Sequence, residues 1–338
     1  MNDPEPEGHI ASDIGRRKFL ATLGGAAALP LAARAQQPMP VIGFLSSVPF
    51  ETRRDQVLGF HRGLKESGYV EGQNVAIEYR SADNQVDRLP ALAADLVSRR
   101  VDVIVTIGGD VSIGAAKAAT STIPVVFVSG FDPVASGFVA SLNRPGGNLT
   151  GVSFLVVFTV AKRLELLSEL TPAAITIGML VNPNNPNAVA TTRDAQPAAE
   201  KLGKTLVFVN AGTERDLDAS FAIFIQEKVE AVLVEADPFF LARREQIVAL
   251  ASRHRLPAIY AFREFATIGG LMSYGTSLSN AYQQAAVYAG KILQGEKPAD
   301  LPVTQATKFE LVVNLQTART LGLKVPLTLQ VAADEVIE

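Results

Sequence analysis

Two series of short apolar runs follow one another along the chain in the same order and at a near-constant offset. The first is VIGFLSS from Val41, NVAIEYR from Asn74, VDVIVTIGGD from Val101, IPVVFVSGFDP from Ile123 and LTGVSF from Leu149. The second is TIGMLVN from Thr176, TLVFVN from Thr205, VEAVLVEADP from Val229, LPAIYAF from Leu256 and GGLMSYG from Gly269. Runs this short, rich in β-branched residues and nearly unbroken by polar ones, read as strands covered on both faces, which is the habit of parallel sheet. Helical stretches between them make βαβ units. The repetition therefore predicts an α/β chain with two doubly wound parallel-sheet lobes joined by a hinge that is crossed several times. The crossings are expected near Ser153, Gly275 and Pro302. That gives a first lobe of residues 36–153 plus about 276–302, and a second of 154–275 plus about 303–338.

The stretch from Val101 to Gly137 shows where such lobes bind. Each of its two apolar runs stops at a glycine-bearing polar loop, and loops at the carboxyl ends of parallel strands are where α/β folds hold ligands. Gly108, Gly109 and Asp110 lead into a helical stretch to Thr120, and Asp132 before Pro133 reads as an N-cap that opens another helix. Elsewhere Val57, Phe60 and Leu64 form one helical stripe stopped at Gly68, and Thr213 can cap the helix of Leu217, Phe221, Phe224 and Ile225. Pro197 inside the helix expected over Val189 to Leu202 predicts a break or kink. After Gly275 the pattern changes to a long helix, Leu278 to Leu293, a lone strand from Lys308 to Val313, a short helix around Thr317 to Leu321 and an extended tail.

Composition removes several chemistries. The 338 residues contain no cysteine, so disulfides, thiol nucleophiles, cysteine-bound metals and a lipidated N-terminal cysteine are out. Histidine occurs only at 9, 61 and 254. Neither His61 nor His254 has a histidine or carboxylate one helical turn on, so both read as structural and no metal site is expected. G-x-G-x-x-G is absent from the strand-to-helix turns, and no cofactor is expected. A net charge of −3 with both signs dispersed suggests neither a nucleic-acid nor a membrane surface. Gly15-Arg16-Arg17-Lys18-Phe19-Leu20, the apolar stretch Ala21 to Ala33 and Ala33-Arg34-Ala35 read together as a Tat-type signal peptide over residues 1–35. Cleavage after Ala35 leaves a periplasmic protein with no membrane anchor.

With a leader and two repeated lobes, the chain resembles a type I periplasmic binding protein. More closely it is similar to the substrate-binding components of ABC transporters of the tryptophan/tyrosine-uptake kind. The likeness is carried by Val41 to Ser46 (VIGFLS), Gly68 to Asn74 (GYVEGQN), Leu142 to Gly151 (LNRPGGNLTG), Val181 to Asn187 (VNPNNPN), Leu271 to Gly275 (LMSYG) and Lys308 to Asn314 (KFELVVN). The resemblance implies a soluble receptor that closes its lobes on a small molecule and presents it to an ABC permease with its ATPase; a monomer is expected.

Residues just past strand ends are the candidates for the cleft. In the first lobe these are Ser46, Ser47, Gly108, Gly109, Ser129, Phe131 and Asp132; in the second, Asn182, Glu235, Asp237, Tyr260, Phe262 and Tyr274. Backbone N–H groups at helix starts, with the three serines beside them, suit a carboxylate. The same serines read as caps or turn residues. Asp132 reads first as a cap. Glu235 and Asp237 suit an amine, or else belong to a solvated loop that opens the next helix. Phe131, Tyr260, Phe262 and Tyr274 suit an apolar or aromatic body, and read equally as core. The expected function is capture of a small organic ligand, an aromatic or branched amino acid first among those to test, for an ABC importer. A periplasmic sensor for a separate signalling partner and an exported two-lobed enzyme are the alternatives, the enzyme ranking last.

Overall fold

Every run of the two series forms a strand in the computed structural model, which describes residues 39–154, 159–306 and 309–338. The leader expected over 1–35 lies outside the described residues, as does Lys308. The first series gives β1 (Val41–Ser46), α1 (Arg54–Glu66), β2 (Ala76–Ser81), α2 (Leu89–Ser98), β3 (Val103–Ile107), α3 (Asp110–Ala119), β4 (Val125–Ser129) and β5 (Leu149–Ser153). The second gives α4 (Val160–Leu170), β6 (Thr176–Val181), α5 (Ala188–Lys201), β7 (Thr205–Asn210), α6 (Glu214–Gln226) and β8 (Ala231–Val234). It continues through α7 (Pro238–Ala242), α8 (Arg244–Arg253), β9 (Ala258–Tyr260), α9 (Arg263–Thr267) and β10 (Met272–Thr276). The chain then runs through α10 (Leu278–Leu293), β11 (Thr304–Gln305), β12 (Phe309–Asn314), α11 (Leu315–Leu321), α12 (Leu327–Ala332) and β13 (Glu335–Ile337).

One sheet has the order β11-β5-β4-β3-β1-β2 and the other β13-β12-β10-β9-β8-β6-β7. In both, the first strand of the series lies between the second and the third, so the sheet grows first one way and then the other. That reversal is the switch point at which α/β sheets open a crevice beyond their carboxyl ends. All pairings are parallel except β10 with β12. Pro40 to Glu338 form one compact unit.

The chain passes between the sheets from β5 to α4, from β10 to α10, and between β11 and β12. Because β11 pairs with β5 in the first sheet, the last passage lies a few residues beyond Pro302, where the sequence pattern had placed it. The returning helix α10 is fastened closely to α1. A Cβ at Gly59 would overlap the Ser279 carbonyl, and one at Gly63 the Gln283 carbonyl. Gln283 Nε2 also donates to Glu66 at 2.6 Å.

Three local expectations change. Asp132 does cap, accepting from Val134 N at 2.8 Å, but only a turn follows. It closes through Gly137 N to the Val134 carbonyl, and Gly137 takes a left-handed φ of 70° that ends it. The helix α5 runs unbroken through Pro197. Pro197 lies on the exposed face, where the carbonyl of Arg193 left without its helical partner is open to water. The tail is not simply extended, since it forms α12 and a last strand paired with β12.

The largest apolar cluster crosses the junction. It unites Phe44, Val105 and Val128 of the first lobe with Leu180, Val234, Phe240 and Phe262 of the second, and Phe154 at the crossing and Tyr282 of α10 join it. The outer faces of the two sheets have their own clusters.

Candidate functional site

A cavity of about 140 Å³ lies between the lobes, beyond the carboxyl ends of β1, β3 and β4 on one side and β6 and β8 on the other. Its first wall is the turn before α3. Gly108 and Gly109 have φ of 93° and 95°, the left-handed region that glycine enters without strain. A side chain at Gly108 would collide with the Ser47 hydroxyl, and a Cβ at Gly109 would come within 2.8 Å of Pro238 in the opposite lobe. The lobes are therefore in contact here, at a point where only glycine fits.

The opposite wall is an asparagine-rich loop ordered by one carboxylate. Asp237 caps α7, accepting from Phe239 N at 2.8 Å and Phe240 N at 3.1 Å. It also accepts from the side-chain amides of Asn182 at 3.1 Å and Asn185 at 3.0 Å. Burial raises its pKa, and the bonds from Asn182, Phe240 and Phe239, with the charge of Arg53, oppose the rise. Behind them Glu235, 2% exposed, accepts from Asn182 N at 3.0 Å. Its other oxygen has no partner. Burial first, and then the charge of Asp237, push Glu235 up to about 8. Arg163 of α4, fully buried, opposes that rise from the far side and donates to the Val234 carbonyl at 3.0 Å.

Of the residues expected from the sequence, Ser47, Gly108, Gly109, Phe131, Asn182, Asp237 and Phe262 line this cavity. The other six do not. Ser46 donates its hydroxyl to the Val48 carbonyl, and Ser129 donates to Asp110 at 2.8 Å while accepting from Phe131 N. Ser47 itself donates to the Gly108 carbonyl at 2.6 Å. All three hydroxyl protons are thus spent within the protein, which removes the serines as donors to a carboxylate. Asp132 is a surface cap and Glu235 lies one layer behind the wall. Tyr260 is core, stacked on Phe265 with centroids 4.4 Å apart. Tyr274 lies on the other face of the sheet with Met272, stacked on Phe309, because strand side chains alternate between faces. Asp237 and Glu235, read as acceptors for a ligand amine or else as part of a solvated loop, are both buried, which removes the solvated-loop reading.

The aromatic wall is different from the expected one. Phe131, Phe154, Phe239, Phe262 and Tyr282 supply it, with Phe154 and Phe262 edge to face at 6.4 Å. Asn184, Asn185, Asp110 and Arg53 complete the polar lining. Arg53, in the turn before α1, is 3% exposed and donates through Nη2 to the Pro238 carbonyl of the other lobe at 2.8 Å. Burial lowers its pKa, opposed by Tyr282 and Glu264. Two more bonds join the lobes near it, Gln56 Nε2 to Glu264 at 2.6 Å and Arg244 Nη1 to the Thr52 carbonyl at 3.1 Å. An arginine one short loop past the first strand, just ahead of the helical stripe of Val57, Phe60 and Leu64, was the available signal for this residue.

Among the described residues no cluster of three or more histidine, cysteine or acidic side chains could hold a metal ion. No described helix is long and apolar enough to cross a membrane.

Two similar lobes in contact around a small, ring-walled cavity at their switch points define a solute-binding protein of the type I periplasmic binding fold. The chain belongs to the ABC transporter substrate binding protein family, which it matches over residues 41–337. It is 27% identical over 266 residues to a tyrosine-binding protein of Clostridioides difficile, covering 79% of this chain and 76% of that one. A structure of an ABC domain in complex with L-Trp from Streptococcus pneumonia is 25% identical, with a TM-score of 0.80 over 88% of this chain and 99% of that one. A ligand-free, open structure of a substrate binding protein with adhesive properties from Clostridium difficile, 26% identical, superposes over the same shares of the two chains with a TM-score of 0.64.

Proposed function

We propose that this chain captures a small carboxylate-bearing organic solute, an aromatic or branched amino acid first among the candidates, and hands it to the permease of an ABC importer. It acts in the periplasm as a monomer, exported by the Tat route with its leader cut after Ala35, and it binds its ligand without transforming it. The observation that carries this reading is the ring wall of Phe131, Phe239, Phe262 and Tyr282 around the cavity between the lobes. Rings on several sides favour a flat or branched apolar body. Relatives that hold L-Trp or are named for tyrosine point the same way. Closure around the solute then stabilises the form with both lobes in contact, by the difference in affinity between closed and open states.

Calorimetry with L-tyrosine, L-tryptophan, L-phenylalanine, L-leucine and L-valine tests the ligand class. At least one should release heat and shrink the radius of gyration in small-angle scattering. Binding of sugars or inorganic anions with no heat from any of these amino acids would refute it. N-terminal sequencing of the exported protein, expected to start at Gln36, tests the processing.

A further inference from the structure

We propose that Arg53 is the residue that reads the ligand's charge, its guanidinium holding a carboxylate in the cleft while the same group ties one lobe to the other. This rests on the reading of the cavity as a solute site. A guanidinium carries five N–H donors and no acceptor. Arg53 lines the cavity and is 3% exposed, yet its Nε has no hydrogen-bond partner and its Nη2 meets only a neutral carbonyl, that of Pro238. Among the described residues it forms no ion pair. Of the acids nearby, Asp237 is surrounded by four donors, while Glu264 accepts from Gln56 through one oxygen and keeps the other without a partner, and neither is in ion-pair contact with Arg53. Glu264 and Asp237 act on Arg53 only from beyond ion-pair distance, and a buried cation without a direct partner is disfavoured, so its free donor at a cavity wall marks a place where an anion can arrive. The planar fork of arginine matches a carboxylate side-on.

The surroundings agree. The ten-residue helix α3 starts at the same wall, with Gly109, Asp110 and Val111 on the cavity; its amino end favours negative charge, and Asp110 already supplies a carboxyl there, held by Ser129 and pushed towards its neutral form by burial. The serine hydroxyls donate elsewhere, which leaves Arg53 as the charged donor on the lining. Because Nη2 reaches across to Pro238, a carboxylate that fixes the guanidinium also fixes the bond that joins the lobes. Ligand charge and lobe closure are read by one side chain.

The test is a set of matched pairs titrated by calorimetry into the whole protein: L-tyrosine against tyramine, L-tryptophan against tryptamine, L-leucine against isoamylamine, with phenylpyruvate and indole-3-acetate added. We expect at least one carboxylate to bind and the amines not to. Arg53→Gln should weaken the bound carboxylate by roughly 10- to 100-fold, as loss of a hydrogen bond to a charged group does, and reduce ligand-induced closure in scattering. Arg53→Lys, which keeps the charge and loses the fork, should fall between. If only the two acids without an amino group bind, the amino-acid assignment fails and the role of Arg53 stands. An amine that binds as well as its acid, no binding by any carboxylate, or unchanged affinity in Arg53→Gln overturns the proposal. Should Arg53→Gln not fold, Arg53→Lys decides, and unchanged affinity in it is equally fatal.

Discussion

Glu235 makes stability depend on pH in a direction opposite to that of most carboxylates. Its pKa is raised from an ordinary 4.5 to about 8, chiefly by burial, so between those values the folded chain binds a proton that the unfolded chain has released. Stability from this group is fully present below 4.5 and is lost as the pH rises through about 8. At about 1.4 kcal/mol for each pH unit, the rise corresponds to about 5 kcal/mol across the window. Denaturant unfolding of wild type and Glu235→Gln at about pH 5 and about pH 9 reads it directly. The wild type should lose stability on going to the higher pH, and Glu235→Gln should lose less by most of that amount, because the amide mimics the neutral acid and can still accept from Asn182 N. Parallel losses in the two proteins would refute the argument. So would a variant that is destabilised equally at both values, which would mean that the carboxylate is charged in the fold.

Two further outcomes follow from the packing. Gly63→Ala drives a methyl group into the Gln283 carbonyl and should cost about 1–3 kcal/mol as overpacking, read as a lower denaturation midpoint; an unchanged midpoint would mean that α1 and α10 can slide apart freely. Phe262→Ala should weaken the solute by about 1 kcal/mol beyond the area lost, whereas Tyr274→Ala should leave affinity unchanged, and equal losses by calorimetry would return Tyr274 to the cavity.

Much of the architecture was legible because parallel strands leave a strong trace. The runs from Val41 and Thr176 are apolar on both faces, so they stand out without any knowledge of partners. The caps at Thr213 and Asp237 are local chemistry and were equally plain; each is made by its own side chain in the structure. The third passage between lobes was misplaced because β11 has only two residues, too few to show a pattern. Within the site, position along a strand end was readable and direction was not. Tyr274 is past the right strand but on the wrong face, and Ser46, Ser47 and Ser129 are in place but turned to the protein's own acceptors. Arg53 escaped because its meaning depends on Pro238, far away in the sequence and brought alongside only by closure.

The apolar cluster that bridges the two lobes gives the protein a thermal signature. Parting the lobes would hand part of that surface to water, and hydrated apolar surface raises the heat capacity. Capture of a solute removes it again, so the reaction carries a negative heat-capacity change larger than the solute's own apolar area explains. The enthalpy of capture therefore becomes more favourable on warming for whatever solute fits, since part of the surface being dried belongs to the receptor itself.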